Sequence, residues 1–471
     1  MKKDPNILDI RSTPDAKTAF VFSGGGTQRK KMGLILMRKN EFFRRKMEEC
    51  DALAGQYCGY SVIEEISRPA DSSRIDDPVI GNPCILSIQV SLAHLLIELG
   101  IRPDLLLGHS LGEIAAAHIG GMLSLEDAFK VVATQIAVSG KTKNKALMIH
   151  VSVSHEKIIP LLKQFDHRVQ VAAVNSPDSV ILVGQKEALD RILADYSAKN
   201  IFCKYISIIE PFHSVHIKPY SDFIVRSLDS LRLEAPAVPV YSPVRGKMAE
   251  PDDFGPGYWS RAWIEPCLFY QALREVIATG CDVFVEIAPE AVLQVYIEEC
   301  LNEAGRNSYW IMKTMTRKTP EHELFLNNLA AWISAGRSLR LHALSPEDAT
   351  ALEARTALKP DSRPQKVNDP VVIPAQTYSR NILQNLVKEG IYSVSNREIV
   401  PPSDTDIGFI HMGLNSFMTL ELKDYLTQKL GRFIPITVFF EYPTIDRLVE
   451  FLLSPAGGGP KTAKAGVPGT P

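Results

Sequence analysis

The sequence predicts an α/β domain built on a largely parallel sheet, followed by a small all-helical module. Three observations carry this. Short apolar runs at 18–22 and 105–107 each lead into a glycine-containing turn. Strand-like and helix-like stretches alternate up to about residue 345. Beyond a Pro-rich interval, 377–453 keeps only helical periodicity.

The elements follow in order. Thr18-Ala19-Phe20-Val21-Phe22 reads as a buried strand opening into Ser23-Gly24-Gly25-Gly26. The most apolar segment, 84–101, is interrupted by Ser87, Gln89, Ser91, His94 and Glu98. Its Ile85, Ile88, Leu92, Leu95, Leu96 and Leu99 recur at helical spacing, so it predicts a core helix over 84–99 and no membrane span. Leu105-Leu106-Leu107 is a second buried strand, followed by Gly108-His109-Ser110-Leu111-Gly112 and an Ala-rich helix over 113–118. Over 147–206 the units shorten: strands at 147–153, 169–174 and 180–183 alternate with helices near 155–164 and 186–198, a small α+β insertion. Residues 207–345 return to the first texture, with a buried strand at 283–287. Pro346, Pro360, Pro364, Pro370 and Pro374 mark a linker over 346–376. In the helical module, Met418, Leu422, Tyr425 and Leu426 stripe a helix from Ser416 to about Gly431, and Pro443-Thr444 starts another carrying Ile445, Leu448, Val449 and Leu452. Residues 1–17 read as a tail, and the Gly/Pro/Ala-rich 454–471 as disordered.

Composition excludes several function classes. Lys+Arg 52 against Asp+Glu 54 gives a net charge of −2, with no basic excess to drive nucleic-acid binding. Seven Cys (50, 58, 84, 203, 267, 281, 300), with no CxxC, argue against a disulfide framework or zinc site and for a reducing, cytoplasmic location. Met1-Lys2-Lys3 is followed by Asp4, Pro5, Asn6 and Asp9 where an exported chain needs apolar residues. The spacing His213-x-x-His216 lacks a supporting Cys or carboxylate cluster, so no metal is expected.

Gly-x-Ser-x-Gly between a strand and a helix is a nucleophile-elbow pattern. Its glycines admit the tight turn and leave Ser110 uncrowded. The helix that follows presents free N–H groups to a developing oxyanion. The alternative is a turn serine that caps its own helix.

At this point the residues resemble a known family. Gly108-His109-Ser110-Leu111-Gly112-Glu113-Ile114-Ala115-Ala116-Ala117 is similar to the acyltransferase domain of polyketide and fatty acid synthases, the malonyl-CoA:ACP transacylase family. Phe20 to Gln28, Asn175-Ser176-Pro177, Pro211-Phe212-His213-Ser214, Pro239-Val240-Tyr241-Ser242, Tyr258-Trp259, Glu265-Pro266 and Phe284 to Pro289 recur in the family's order, so the resemblance covers about 18–345. It implies an α/β-hydrolase-like core with a ferredoxin-like subdomain over about 147–206. It also implies a ping-pong acyl transfer from acyl-CoA. Ser110 would be the nucleophile and His213 its general base, with the backbone N–H groups of Gly25 and Leu111 as oxyanion hole. Gly25 stands where the family usually has Gln, which leaves the backbone donor in place. A backbone carbonyl near Ala262 would orient the histidine. His109 would shape the pocket, and Arg29-Lys30-Lys31 either meets CoA phosphates or is a solvated helix start.

Substrate choice turns on Gln135. Running ungapped from Ser110, this is where family members that load malonyl or methylmalonyl groups carry an Arg, whose fork pairs with the free carboxylate. A neutral Gln leaves such a charge unpaired at a cost of several kcal/mol. A monocarboxylic acyl group is therefore the expectation, unless Lys141 or Lys143 substitutes. Glu210-Pro211-Phe212-His213 matches neither common extender signature, which points the same way.

The helical module resembles an acyl carrier protein over 377–453, a four-helix bundle. Gly413-Leu414-Asn415-Ser416-Phe417 is similar to its Gly-x-Asp-Ser-Leu attachment motif, with Asn415 and Phe417 as departures. The resemblance implies that a phosphopantetheinyl transferase attaches 4′-phosphopantetheine to Ser416; the alternative is an inactive remnant. Transferase first, carrier last and no preceding condensing domain is the order of a loading module that hands its acyl group to a downstream ketosynthase. The rivals are a malonyl or other extender transferase, a serine hydrolase editing acyl thioesters, and a non-catalytic docking scaffold.

Overall fold

The computed structural model describes residues 16–357 except 166, 200 and 207–209, and within the carrier region 379–395, 399, 401, 405–409, 412–414, 416–430, 434 and 438–453. The chain divides into two compact units, Met1–Asp361 and Ser362–Pro471. The tail expected over 454–471, most of that over 1–17, and the linker residues 358–376 lie outside the described residues.

The first unit is built on a six-stranded sheet in the order Trp310–Lys313, Cys281–Ile287, Lys17–Phe22, Leu105–Gly108, Val240–Ser242, Lys247–Met248. All neighbours are parallel except the final hairpin pair. Lys17–Phe22 lies at the centre, with Phe22 opposite both Gly108 and Ile287. The chain leaves this strand to one side and returns on the other, which makes its C-terminal end the switch point where α/β sheets hold ligands. Three loops meet there, beginning at Ser23, His109 and Ala288.

A second sheet orders Val169–Ser176, Ser179–Gly184, Leu147–Val151 and Cys203–Tyr205, every pair antiparallel. With helices His155–Leu162 and Lys186–Ala198 this is the βαββαβ, ferredoxin-like arrangement expected for the insertion. Ile149, Val151, Ile158, Leu182, Leu189 and Ile192 form a core of their own.

Two elements differ from expectation. The core helix expected over 84–99 is Pro78–Glu98, which begins earlier and contains Pro83. Asp77 caps it, accepting from the Val79 N–H at 3.1 Å, and Pro78 fits its first turn. Pro83 cannot donate to the Val79 carbonyl, and the Tyr60 hydroxyl does so instead at 2.7 Å. The helix is long and apolar enough to cross a membrane by composition, yet 83% of its apolar window is buried inside the unit. The second difference is Pro346–Ala357, the start of the expected linker, which is a helix. Pro346 opens it, Glu347 and Asp348 suit its first turn, and Leu352 is buried in the core. Asp348 also accepts from His322 at 2.8 Å. Proline count masked a good helix start.

The carrier unit contains helices Arg380–Val394, Ser416–Leu430, Val438–Glu441 and Ile445–Leu453. Leu383, Val387, Ile391, Leu422, Leu426, Ile445, Leu448 and Val449 fill its centre. Gly390 lets the first two helices approach: a Cβ there would stand 2.5 Å from Leu422 Cδ1. Asp446 ties the loop to the last helix, accepting from Thr405 Oγ1 at 2.6 Å and Gln384 Nε2 at 2.7 Å.

Candidate functional site

Ser110 sits in the turn between Leu105–Gly108 and the helix Gly112–Ile119, with φ 52°. A left-handed conformation is costly for a serine and holds the hydroxyl clear of the turn. Glycine is required on both sides. A Cβ at Gly108 would stand 2.3 Å from the Glu113 nitrogen, and one at Gly112 would stand 2.2 Å from the Phe22 carbonyl oxygen.

His213 arrives from a different part of the chain, also left-handed at φ 59°. Its Nε2 is 2.8 Å from Ser110 Oγ, and its Nδ1 is 3.0 Å from the Glu265 carbonyl. A carbonyl can only accept, so Nδ1 carries the proton and Nε2 is free to take one from the serine. The Glu265 carbonyl, in the loop after Pro256–Ile264, makes the main orienting contact, and the backbone of Ala262, expected for this role, acts on the ring more weakly. Burial lowers the His213 pKa to about 4, against the pull of the Glu265 carbonyl, so the imidazole is the neutral base at pH 7.

Gly25 and Leu111 both line the same cavity. Among the described residues neither main-chain N–H donates to an acceptor. The glycine loop is fixed from below. Ser23 Oγ donates to Glu286 at 2.7 Å, and Gln89 Nε2 donates to the carbonyls of Ser23 at 2.7 Å and Ile287 at 3.1 Å. Glu286 also accepts the N–H groups of Val292, Leu293 and Gln294 at 2.6, 2.7 and 3.1 Å. His109 lies beside the nucleophile, its Nε2 2.9 Å from Asn175 Oδ1; burial lowers its pKa, so it is a neutral wall.

The cavity, about 80 Å³, joins Gly25, Ser110, Leu111 and His213 to Gln135 and Glu210. That volume is room for a short acyl chain. Phe212, Met148 and Ile181 supply apolar wall. Gln135 is buried on the helix Leu125–Thr142, and its Oε1 has no hydrogen-bond partner. One turn on, Ser139 donates to Glu210. Burial pushes the Glu210 carboxyl up to about 7, against the Ser139 hydrogen bond. No Lys or Arg lines the cavity among the described residues. Lys141 lies 4.3 Å from the Phe223 ring centre, and Lys143 pairs with Asp77 at 3.1 Å. Arg29, considered for CoA phosphates, is held by Glu321 at 2.6 Å and the Pro289 carbonyl at 2.9 Å.

The structure therefore brings together Ser110, His213, Gly25, Leu111, Gln135, His109, Glu210 and Phe212, all drawn from sequence. Asn82 and Ser139 were missed: both sit on helices whose periodicity marks them only as interruptions of an apolar face. Ser416 opens Ser416–Leu430 and follows Gly413, whose φ of 92° turns the chain into the helix. A serine at the N-terminus of a helix of 15 residues fits a phosphodiester, because the first N–H groups are unpaired there. Asn415 and the side chains of Ser416 and Phe417 lie outside the described residues. No group of three or more His, Cys, Asp or Glu able to hold a metal occurs among the described residues. All seven cysteines are unpaired.

A serine on a strained strand-to-helix turn, a neutral histidine within hydrogen-bond reach and two free N–H groups define a serine acyl-transfer site on an α/β-hydrolase-like core. The chain belongs to the acyl transferase domain family, which matches residues 19–337, and carries a phosphopantetheine attachment site domain over 393–452. It is an acyltransferase joined to a carrier domain, a combination typical of modular polyketide synthases. Erythronolide synthase EryA2 of Saccharopolyspora erythraea is 31% identical over 338 residues, 71% of this chain. The spectinabilin polyketide synthase system protein NorC of Streptomyces orinoci is 24% identical across 96% of it. The chain spans only 9% and 21% of those two proteins. Among solved structures, the acyltransferase domain from the second module of the salinomycin polyketide synthase is 30% identical over 71% of this chain and 78% of its own, with TM-score 0.65. A loading acyltransferase from the avermectin polyketide synthase is 29% identical over 67% of this chain and 99% of its own, with TM-score 0.63.

Proposed function

We propose that this chain is the loading acyltransferase–carrier unit of a polyketide synthase, taking a monocarboxylic acyl group from acyl-CoA. The observation that carries the reading is the acyl cavity: Gln135 and Glu210 stand in it, and no cation does among the described residues. A malonyl carboxylate would enter unpaired and beside a second carboxyl group, a cost of several kcal/mol in a desolvated site. Likeness to the avermectin loading acyltransferase supports the same choice.

In the proposed reaction His213 Nε2 takes the Ser110 proton as Oγ bonds to the thioester carbon. The N–H groups of Gly25 and Leu111 hold the oxyanion. As the tetrahedral adduct collapses, the carbon–sulfur bond breaks, and His213 returns its proton to the departing CoA thiolate. The acyl group is left as a Ser110 ester. When attached at Ser416, 4′-phosphopantetheine would supply the thiol that accepts it. His213 serves the second half by the reverse proton transfers. The transferase spans about 18–345, extended by the helix to 357, and the carrier 377–453. A phosphopantetheinyl transferase and a downstream ketosynthase are the proposed partners, in the cytoplasm.

The test incubates the protein with a pantetheinyl transferase, CoA and a panel of acyl-CoAs, then measures the mass at each serine. Acyl on Ser110 that migrates to the Ser416 arm, and loss of both in Ser110→Ala, is the expected result. Free acid released without any carrier adduct overturns it in favour of a hydrolase. Preferential malonyl loading overturns the loading assignment.

A further inference from the structure

The cavity contains more polarity than a plain aliphatic acyl group needs. Glu210 is 7% exposed; Ser139 bonds one of its oxygens, and the other has no partner among the described residues. Gln135 is 3% exposed, and its Oε1 is unpaired. Gln135 and Ser139 stand one helical turn apart, which places them on one face and sets Glu210 beside Gln135. The remaining polar wall, Asn82 and His109, adjoins Gly25 and Ser110 at the reacting end: a Cβ on Gly25 would stand 3.4 Å from Asn82 Oδ1.

Among the described residues no donor reaches Gln135 Oε1 or the free oxygen of Glu210, and with Glu210 ionised the two acceptors are a defined chemical demand. An aliphatic chain that filled the cavity would leave Gln135 Oε1 unsatisfied, as it already is, and would strip water from the free oxygen of Glu210 at a cost of about 1–3 kcal/mol. A chain carrying a donor would satisfy them. Sites built to hydrogen-bond a substrate group discriminate against analogues that lack it far more strongly than apolar pockets discriminate by size.

We propose that the acyl group this cavity holds is short and carries a hydrogen-bond donor, a hydroxyl or an ammonium, accepted by Glu210 and Gln135. This rests on the monocarboxylic reading and adds the substrate's functional group to it. Glu210 and Gln135 are specificity residues here, and the proton transfers at Ser110 and His213 do not involve them.

The experiment measures Ser110 acylation rates of the full chain with 3-hydroxybutyryl-CoA, 3-aminobutyryl-CoA, butyryl-CoA and malonyl-CoA, for the wild type, Glu210→Gln and Glu210→Leu. One or both donor-bearing groups should load at least about tenfold faster than butyryl. Glu210→Leu should erase that advantage, and an unchanged thermal melting curve shows that the variant is folded. Glu210→Gln separates the two donors: it still accepts from a hydroxyl but cannot neutralise an ammonium. If Glu210→Leu fails to load even butyryl, the isosteric Glu210→Gln decides alone, through a changed ratio of amino to hydroxy loading. Butyryl loading as fast as either donor-bearing group overturns the proposal and leaves the monocarboxylic reading intact. Malonyl loading fastest overturns that reading itself.

Discussion

Placing an arginine at position 135 is the obvious route to a malonyl-loading enzyme, and the structure predicts that it fails alone. Gln135 lies one turn from Ser139, which holds Glu210. In Gln135→Arg the new guanidinium meets the Glu210 carboxylate before any substrate arrives. That pairing returns Glu210 to 4.5, its ordinary value, or below, from about 7. To admit malonyl, the site must then protonate Glu210 or leave one carboxylate unpaired. Protonating a carboxyl of ordinary pKa at pH 7 costs about 3.4 kcal/mol, at about 1.36 kcal/mol per pH unit. That is about 2.5 orders of magnitude in rate, roughly 300-fold. Adding Glu210→Gln removes the competitor and keeps the Ser139 hydrogen bond. The double variant should exceed Gln135→Arg by about 300-fold in kcat/KM for malonyl-CoA, read as the initial rate of the Ser110 adduct by intact mass. The single variant's deficit should shrink as pH falls toward 5. Malonyl loading by Gln135→Arg within about tenfold of the double variant would refute the reasoning, because it would show that Glu210 does not compete for the guanidinium.

Other consequences are open to measurement. Because burial lowers the His213 pKa to about 4, below the ordinary 6.5 of an imidazole, its base form persists on acidification; in Glu210→Gln, butyryl acylation should stay flat from pH 8 to about 5 and fall only below that, whereas a fall centred near 6.5 would contradict the burial argument. Gly112→Ala should cost about 3 kcal/mol or more, because its Cβ would overlap the Phe22 carbonyl oxygen at 2.2 Å; a lowered melting temperature by tryptophan fluorescence reports it. Gly55→Ala, in the helix Glu41–Cys58 with no atom within 4 Å of its Cβ, should raise stability by about 0.5–1 kcal/mol in the same assay. Asp446→Ala removes two hydrogen bonds and an exposed ion pair with Arg380 at 3.5 Å from a partly exposed carboxylate, about 1–2 kcal/mol; it should speed amide exchange across Ile445–Leu453 and leave the first unit unchanged.

What was legible in the sequence was local. The turn around Ser110 is five contiguous residues with a steric logic of their own, and the ferredoxin-like insertion shows a strand and helix rhythm within 60 residues. The helices of the carrier unit carry apolar stripes that can be read directly. What was hidden is tertiary. Whether Lys143 or Arg29 is available to a substrate depends on Asp77 and Glu321, and nothing near either cation in sequence announces its partner. Ser139 looks like any polar residue on a helix until Glu210 arrives from elsewhere in the chain. The orienting carbonyl at Glu265 depends on how a helix ends, a boundary that residue types set only loosely. Pro83 and Pro346 misled in the same way: the first is tolerated because a distant tyrosine replaces its missing donor, and the second because it sits where helices begin.

Ser110 and His213 both occupy left-handed backbone, at φ 52° and 59°, and neither is glycine. Each such residue costs about 1–2 kcal/mol relative to one that favours the region. The reactive centre is therefore a place where stability is gained by discarding function: Ser110→Gly would remove the Cβ penalty and the nucleophile together. Selection for heat resistance alone, in a laboratory or a hot habitat, would drift toward inactive sequences here. Directed evolution of this transferase should accordingly score turnover in every round and seek added stability at distant positions such as Gly55.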